Sequence, residues 1–140
     1  MRIQYTSSEA SAMTGELRGY LLDTNVVIGV LKELTPAVEM LRSIGDDTPL
    51  AYSAITRMEL MGYPDLTDDE GAAIESTLAT MTYIGLTHAI EDRTIALRRN
   101  HRIKLPDATI AATALESSYR LLTLDDALAT VFATVSEPRL

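Results

Sequence analysis

Polar side chains interrupt the apolar sequence at three places where a buried strand is predicted to end. The segment YLLDTN carries Asp23 and Asn25 directly after an apolar run. The segment LAYS ends in Ser53, and the segment RLLT ends in Thr123. In an open parallel sheet, ligands bind in the crevice outside the carboxyl ends of the strands. These residues therefore predict a polar site at one edge of a sheet.

Acidic residues accompany the predicted strand ends. Glu59 lies one or two turns into the helix after the second strand, and Asp107 opens the helix before the fourth. Asp125 follows the fourth strand, and the adjacent Asp126 is the alternative candidate for the acidic residue at this strand end. Together with Asp23 these residues would form a cluster of carboxylates. Mutual repulsion raises the pKa values of clustered carboxylates unless a cation is present. Oxygen ligands without His or Cys suit Mg²⁺ or Mn²⁺, which catalyse phosphodiester hydrolysis.

Helix capping is the alternative interpretation of the same residues. Asp23 and Asp125 are favoured cap types, and Asp107 suits the first turn of a helix. Thr56 and Glu59 have the S/T-x-x-E spacing of a capping box. Capping does not explain why acidic residues recur at the same end of successive strands, and both interpretations remain open at this point.

The segments between these residues predict the fold class. Short apolar strands alternate with helical patterns, which indicates a parallel sheet covered on both faces. We predict an α/β fold, a three-layer α/β/α sandwich with a central, mostly parallel five-stranded sheet. The five predicted strands are GYLLD, LAYS, TYIGL, RLLT and VFATV.

Length and composition indicate one folded domain. The chain has 140 residues, of which 46% are hydrophobic and 23% charged. We predict a polar N-terminal extension over residues 1–19 and a single domain over residues 20–140. The chain has no Cys, which excludes a thiolate metal site and suits a cytoplasmic protein. No apolar run approaches the roughly 20 residues of a spanning helix, and no signal peptide is recognisable.

The charge distribution bears on nucleic-acid binding. A net charge of −8 argues against passive wrapping of nucleic acid, and 5% aromatic residues argue against a base-stacking surface. Five cations nevertheless lie within twelve positions, where they suit either RNA phosphates or a solvated helix end. They are Arg93, Arg98, Arg99, Arg102 and Lys104.

Four segments, in order and approximate spacing, resemble PIN-domain proteins, and most closely the VapC-type toxins of toxin–antitoxin pairs. They are LLDTNVVIGVL, SAITRMELMGYP, RIKLPDATIAATAL and LLTLDD. The resemblance spans roughly residues 20–135. It implies a Mg²⁺- or Mn²⁺-dependent endoribonuclease, a cognate antitoxin that blocks the acidic pocket, and a toxin homodimer.

The resemblance also implies roles for individual residues. Asp23, Glu59 and Asp107 correspond to the acidic core, and Asp125 to the fourth acidic position. The neutral residues that orient carboxylates and waters correspond to Asn25, Ser53 and Thr123. One departure concerns the last motif, where a basic residue and a Phe are common but this chain has Leu124 and Leu128. That departure keeps Asp126 in competition with Asp125.

Other functions remain to be weighed against this one. A receiver-like phosphoacceptor domain needs a Lys near the acidic site, but Lys32 and Lys104 do not end predicted strands. A non-catalytic PIN scaffold would act as a binding module, and a DNA-directed nuclease would use the same chemistry. His88 and His101 are expected at the surface rather than in catalysis.

Overall fold

Strands and helices alternate along residues 16–136, which are the residues that this computed structural model describes. The predicted extension over residues 1–19 lies outside them except for its last four positions. None of the described helices is long and apolar enough to cross a membrane. The elements are β1 (Tyr20–Leu22), α1 (Thr24–Leu31), α2 (Thr35–Ile44), β2 (Leu50–Ser53), α3 (Ala54–Met61), α4 (Asp68–Leu78), β3 (Thr82–Ile84), α5 (His88–Asn100), α6 (Leu105–Ser117), β4 (Arg120–Leu122) and α7 (Asp126–Ser136).

The strands form one parallel sheet in the order β3-β2-β1-β4. β1 pairs with β2 through Tyr20 and Leu50, and with β4 through Leu22 and Leu122. Because all three pairings are parallel, the carboxyl ends of the strands meet at the same edge. β1 lies between β2 and β4, so the residue that follows β1 is central to that edge.

Two apolar clusters cover the two faces of the sheet. Adjacent residues of β1 point to opposite faces, so Leu21 joins one cluster and Leu22 the other. Helices α5, α6 and α7 pack on the first face, while α1 and α4 pack on the second. This arrangement confirms the predicted three-layer α/β/α fold.

The predicted fifth strand, VFATV, is wrong, because these residues lie inside α7. Leu128 and Phe132 are both buried, and their four-residue spacing puts them on one helical face against the core. Thr130 and Thr134 each donate a hydroxyl hydrogen bond to the carbonyl four residues earlier. The β-branched residues therefore fit a helix, and the sheet has four strands in the described part of the chain.

Candidate active site

Asp23 follows β1 and caps α1, at the centre of the carboxyl edge of the sheet. Its side chain is only 4% exposed. The Thr24 amide donates to Asp23 Oδ1 at 2.7 Å, and the Thr123 hydroxyl donates to Oδ2 at 2.7 Å. One oxygen thus caps the helix while the other binds the residue that follows β4. Capping and the site interpretation are therefore compatible for this residue.

Burial dominates the electrostatics of Asp23. It raises the pKa of this carboxyl above its ordinary value, because a charged group loses hydration in the interior. Hydrogen bonds from Thr123 and Thr24 lower this pKa, and the charges of Asp107 and Glu59 raise it again. The central carboxylate of the edge is therefore a charge that the fold destabilises.

Thr123 connects three polar groups at the end of β4. Besides donating to Asp23, its hydroxyl oxygen accepts from the Asp125 amide at 3.0 Å and from Asn25 Nδ2 at 3.5 Å. Asn25 Oδ1 in turn accepts from the Leu124 amide at 3.1 Å. Asn25 therefore ties the start of α1 to the loop between β4 and α7.

Asp125 and Asp126 occupy different environments. Asp125 Oδ1 accepts from the Leu128 amide at 3.1 Å, so Asp125 caps α7. The charge of Asp125 also raises the pKa of Asp107, which places the two carboxylates in electrostatic contact. Both residues are exposed, but Asp126 is the first residue of α7 and is not among the charges that act on Asp107. This geometry favours Asp125 over Asp126 as the fourth acidic position.

Glu59 does not belong to a capping box. Helix α3 begins at Ala54, and its cap is Ser53, whose hydroxyl accepts from the Thr56 amide at 3.2 Å. The Glu59 carboxylate instead accepts from the Thr24 hydroxyl at 2.7 Å. Glu59 therefore faces α1 and the Asp23 region, while its own helix is capped by Ser53.

Asp107 lies in the first turn of α6 without a side-chain capping bond. Partial burial raises its pKa, and the charges of Asp125 and Glu59 raise it further. Lys104, three residues earlier, lowers it. Asp107 thus interacts with carboxylates from two other elements, as expected where the ends of several elements converge.

A cleft of about 290 Å³ opens over Asp23, Glu59 and Asp107, whereas Asp125 does not line it. Ile28 and Tyr63 form part of its lining, and sequence patterns did not single out either residue. Tyr63 is 64% exposed, which leaves an aromatic ring at the rim. The signal in the sequence that could have identified Tyr63 as a cleft residue was its position just after α3, four residues beyond Glu59. The full lining is Asp23, Thr24, Asn25, Ile28, Glu59, Tyr63 and Asp107.

The donor chemistry of this edge suits a hard cation. In the arrangement seen here, no three His, Cys, Asp or Glu side chains within residues 16–136 are grouped closely enough to hold one metal ion. Carboxylate repulsion nevertheless contributes to the raised pKa of both Asp23 and Asp107, and a divalent cation relieves such repulsion. The chemical type of the donors, all oxygen, fits Mg²⁺ or Mn²⁺.

The five cations of the basic segment, of which all but Arg93 are candidate RNA-phosphate contacts, lie on several surfaces. Arg93 forms an ion pair with Glu116 of α6, with Nη2 and Oε2 at 2.7 Å. Arg98 Nε donates to the Ile103 carbonyl at 3.4 Å. Arg99 lies beside Asp92, Ile95 and Asn100 on the outer surface of α5. Arg102 and Lys104 are exposed on the turn that leads to Asp107.

The two histidines lie away from the cleft lining. The His88 side chain is 91% exposed at the start of α5, 4.0 Å from Glu91. His101 is half-buried just after the same helix. His88 thus lies at the surface as expected, and the expectation that neither histidine is catalytic stays a prediction.

A parallel α/β sheet with carboxylates from four elements at its carboxyl edge defines the class of protein. The PIN-domain family matches residues 20–132. This match covers most of the chain, and the chain therefore belongs to the PIN-domain family. The resemblance noted from the four sequence segments is confirmed. A comparison with curated proteins gives no significant match.

Solved structures with the same fold include three complexes. A toxin–antitoxin complex from Klebsiella pneumoniae is 32% identical, with a TM-score of 0.67, covering 76% of this chain and 86% of that one. VapBC2 from Rickettsia felis, bound to a promoter DNA fragment, is 18% identical, with a TM-score of 0.68. The match covers 80% of this chain and 92% of that one. DNA-bound VapBC from Salmonella typhimurium is 16% identical, with a TM-score of 0.61 and coverages of 75% and 97%.

Proposed function

We propose that this protein is a metal-dependent endoribonuclease that acts in the cytoplasm as the VapC-type toxin of a toxin–antitoxin pair. The observation that carries the proposal is the convergence of Asp23, Glu59 and Asp107 in one cleft, with the charge of Asp125 acting on Asp107. PIN-family membership and the likeness to a toxin–antitoxin complex at 32% identity support it.

The same four carboxylates would hold Mg²⁺ or Mn²⁺. When bound, the metal neutralises charge on the scissile phosphate and lowers the pKa of a water. Thr123 and the Thr24 amide orient Asp23, and Asn25 holds the loop that carries Asp125. Ser53 supports the site indirectly, because it caps the helix that carries Glu59.

Hydrolysis by water predicts the ends of the products. Attack on phosphorus in line with the leaving 3′ oxygen gives a 5′-phosphate and a 3′-hydroxyl. Attack by the 2′-hydroxyl of the RNA would instead give a 2′,3′-cyclic phosphate. Identification of the product ends by mass spectrometry separates the two routes, and a cyclic phosphate would contradict the proposed chemistry.

Four basic residues of α5 and of the turn that follows it are proposed to contact RNA phosphates that flank the cleavage site. Lys104 is supported by its electrostatic effect on Asp107, which places a cation next to the acidic edge. Arg102 lies on the same turn between α5 and α6, and Arg98 lies in the last turn of α5 and donates to the Ile103 carbonyl of that turn. Arg99 lies on the outer surface of α5 and would contact only a longer RNA. Such contacts position the substrate without reading its sequence.

The proposed protein partners are a cognate antitoxin and a second copy of the toxin. Helix α1 offers little surface for them, because Val26 and Val27 are buried. The segment MELMGY offers more, since Met58 is 53% exposed and Tyr63 is 64% exposed beside the cleft. An antitoxin that covers this rim would also block the carboxylates.

Cleavage of a mixed RNA pool tests the proposed function. The wild-type protein should cleave the RNA in the presence of Mg²⁺ or Mn²⁺, and cleavage should stop when a chelator is added. Asp107→Asn should reduce cleavage by about 100-fold or more, since it removes one ligand charge. Asp92→Asn, which changes an exposed aspartate on α5, is the matched control and should cleave like the wild type.

The remaining outcomes discriminate the alternatives. Equal cleavage by Asp107→Asn and the wild type would point to a contaminating nuclease and defeat the assigned site. Metal-dependent cleavage of DNA but not RNA would make the protein a DNA-directed nuclease. Binding of RNA without cleavage under any metal condition would favour a non-catalytic scaffold.

A further inference from the structure

Thr24 contacts two carboxylates that come from different elements. Its amide donates to Asp23 Oδ1 at 2.7 Å, and its hydroxyl donates to Glu59 Oε1 at 2.7 Å. Asp23 follows β1, whereas Glu59 lies on α3. A single residue therefore links the central carboxylate of the edge to the carboxylate of a neighbouring helix.

The direction of the hydrogen bonds behind Thr24 follows from proton counting. A hydroxyl has one proton to donate, and Thr24 gives it to Glu59, because an ionised carboxylate only accepts. In the 2.9 Å contact between Thr24 and Thr56, the Thr56 hydroxyl must therefore be the donor. Ser53 donates in turn to Thr56 over a longer 3.5 Å. The chain of donors runs from Ser53 through Thr56 and Thr24 to Glu59.

Burial makes this row of hydrogen-bonded hydroxyl groups rigid. Ser53 and Thr56 are fully buried and Thr24 is 9% exposed, whereas Glu59 lies in an exposed position. Buried hydroxyls are costly to leave without partners, so their hydrogen bonds hold them in one arrangement. An exposed Glu side chain otherwise samples several rotamers. The buried threonines therefore restrict the Glu59 side chain, which its solvent exposure would otherwise leave free to change rotamer.

We propose that Thr24 and Thr56 are positioning residues that orient the Glu59 carboxylate in the cleft that it shares with Asp23, and thereby favour the binding of a divalent cation there. Thr24 acts directly on Glu59, and Thr56 acts by orienting the Thr24 hydroxyl. The consequence for RNA cleavage rests on the proposed function, whereas the consequence for metal binding does not require any RNA.

Substitution of Thr24 gives the principal test. Thr24→Val keeps the amide that donates to Asp23 and nearly the same volume, but removes the hydroxyl. It should weaken Mn²⁺ binding, measured by calorimetry on the full-length protein, by about 10-fold or more, as loss of groups that orient metal ligands does. Thr24→Ser restores a hydroxyl and should recover most of the affinity. Thr56→Val should give a smaller loss in the same direction.

Two controls separate positioning from a general loss of stability. Thr94→Val removes another buried hydroxyl, which donates to the Ile90 carbonyl on α5, and should leave Mn²⁺ affinity unchanged. The second control combines Thr24→Val with Glu59→Gln. Because Thr24 acts through Glu59, the double variant should bind Mn²⁺ no more weakly than Glu59→Gln alone. Unfolding of each metal-free variant by urea verifies that it is folded.

Each outcome decides the proposal. Wild-type affinity in Thr24→Val, or fully additive losses in the double variant, would overturn it. If the wild-type protein binds Mn²⁺ with the expected pattern of variants but cleaves no RNA, the positioning role holds and the proposed function fails. Absence of Mn²⁺ binding by the wild-type protein would overturn both.

Discussion

Helices α1 and α4 both begin with a side-chain cap, but the pKa values of the carboxyl groups at their N-termini are shifted in opposite directions. Asp23 caps α1 in the interior, and burial raises its pKa. Thr67 and Glu70 form a complete capping box at the exposed start of α4, where hydrogen bonds from Thr67 lower the pKa of Glu70. The fold stabilises one charge and destabilises the other.

This difference separates a carboxylate with a structural role, Glu70, from one proposed to be functional, Asp23. At α4 the acidic side chain satisfies backbone donors and gains from the helix dipole, so its charge contributes to folding. At α1 the Asp23 side chain also accepts a backbone amide, that of Thr24, yet Asp107 and Glu59 add repulsion to the cost of burial. Charges that a fold holds at a cost cluster at functional sites. An acidic helix N-terminus alone does not tell the two apart.

The largest expected effect follows from replacing the α1 cap. Asp23→Asn should reduce metal-dependent RNA cleavage by about 100-fold or more, because it removes the central ligand charge. The free energy of unfolding should change by less than about 1 kcal/mol, since Asn caps a helix about as well as Asp. Cleavage assays and urea unfolding measure the two quantities. Full activity in this variant would make Asp23 a cap and nothing more.

A second expected difference between α1 and α4 concerns one glycine in each helix. A Cβ at Gly29 of α1 would lie 2.5 Å from the Cβ of Ala37 on α2, which cannot rotate away. Gly29→Ala should therefore lower the free energy of unfolding by about 1–3 kcal/mol, as overpacking does. Urea unfolding provides the measurement.

Gly71 of α4 is the matched control for Gly29. A Cβ there would lie 3.6 Å from Leu66 Cδ2, which is ordinary contact. Gly71→Ala should raise the free energy of unfolding by about 0.4–1 kcal/mol, since alanine restricts the unfolded chain. Equal destabilisation by both substitutions would mean that α1 is packed no more tightly than α4.

The smallest effect on RNA cleavage is expected at the α4 cap. Thr67→Ala should lower the free energy of unfolding by about 1 kcal/mol, because the Glu70 amide loses its acceptor. RNA cleavage under conditions where the variant is folded should equal that of the wild type. Asp23→Asn and Thr67→Ala would then show opposite patterns, one losing activity and the other stability. A loss of cleavage in Thr67→Ala would mean that α4 contributes to the site.

Much of the fold was predictable because its signals are local. The alternation of apolar strands with helices predicted the three layers, and the strand ends predicted which polar residues share an edge. Local propensity failed at VFATV, where β-branched residues favoured a strand. There the burial of Leu128 and Phe132 on one helical face outweighed intrinsic preference.

The residue types of the candidate site could be proposed from the sequence, but their contacts could not. Asp23, Glu59, Asp107 and Asp125 became candidates through their positions beside predicted strands and helices. The capping-box spacing of Thr56 and Glu59 pointed to a local bond, whereas the structure pairs Glu59 with Thr24, 35 positions away. Tyr63 was missed because its exposure beside the cleft has no periodic signature.

The sequence by itself determined the elements, the caps and the oxygen-donor chemistry of the sheet edge, because these depend on residue types and spacings within a few positions. Only the tertiary structure decided which charges are buried and which hydroxyls hold them. Thr123 reaches Asp23 across 100 positions, through two parallel strands that pair side by side. Such contacts depend on how the strands pair, which no local pattern specifies.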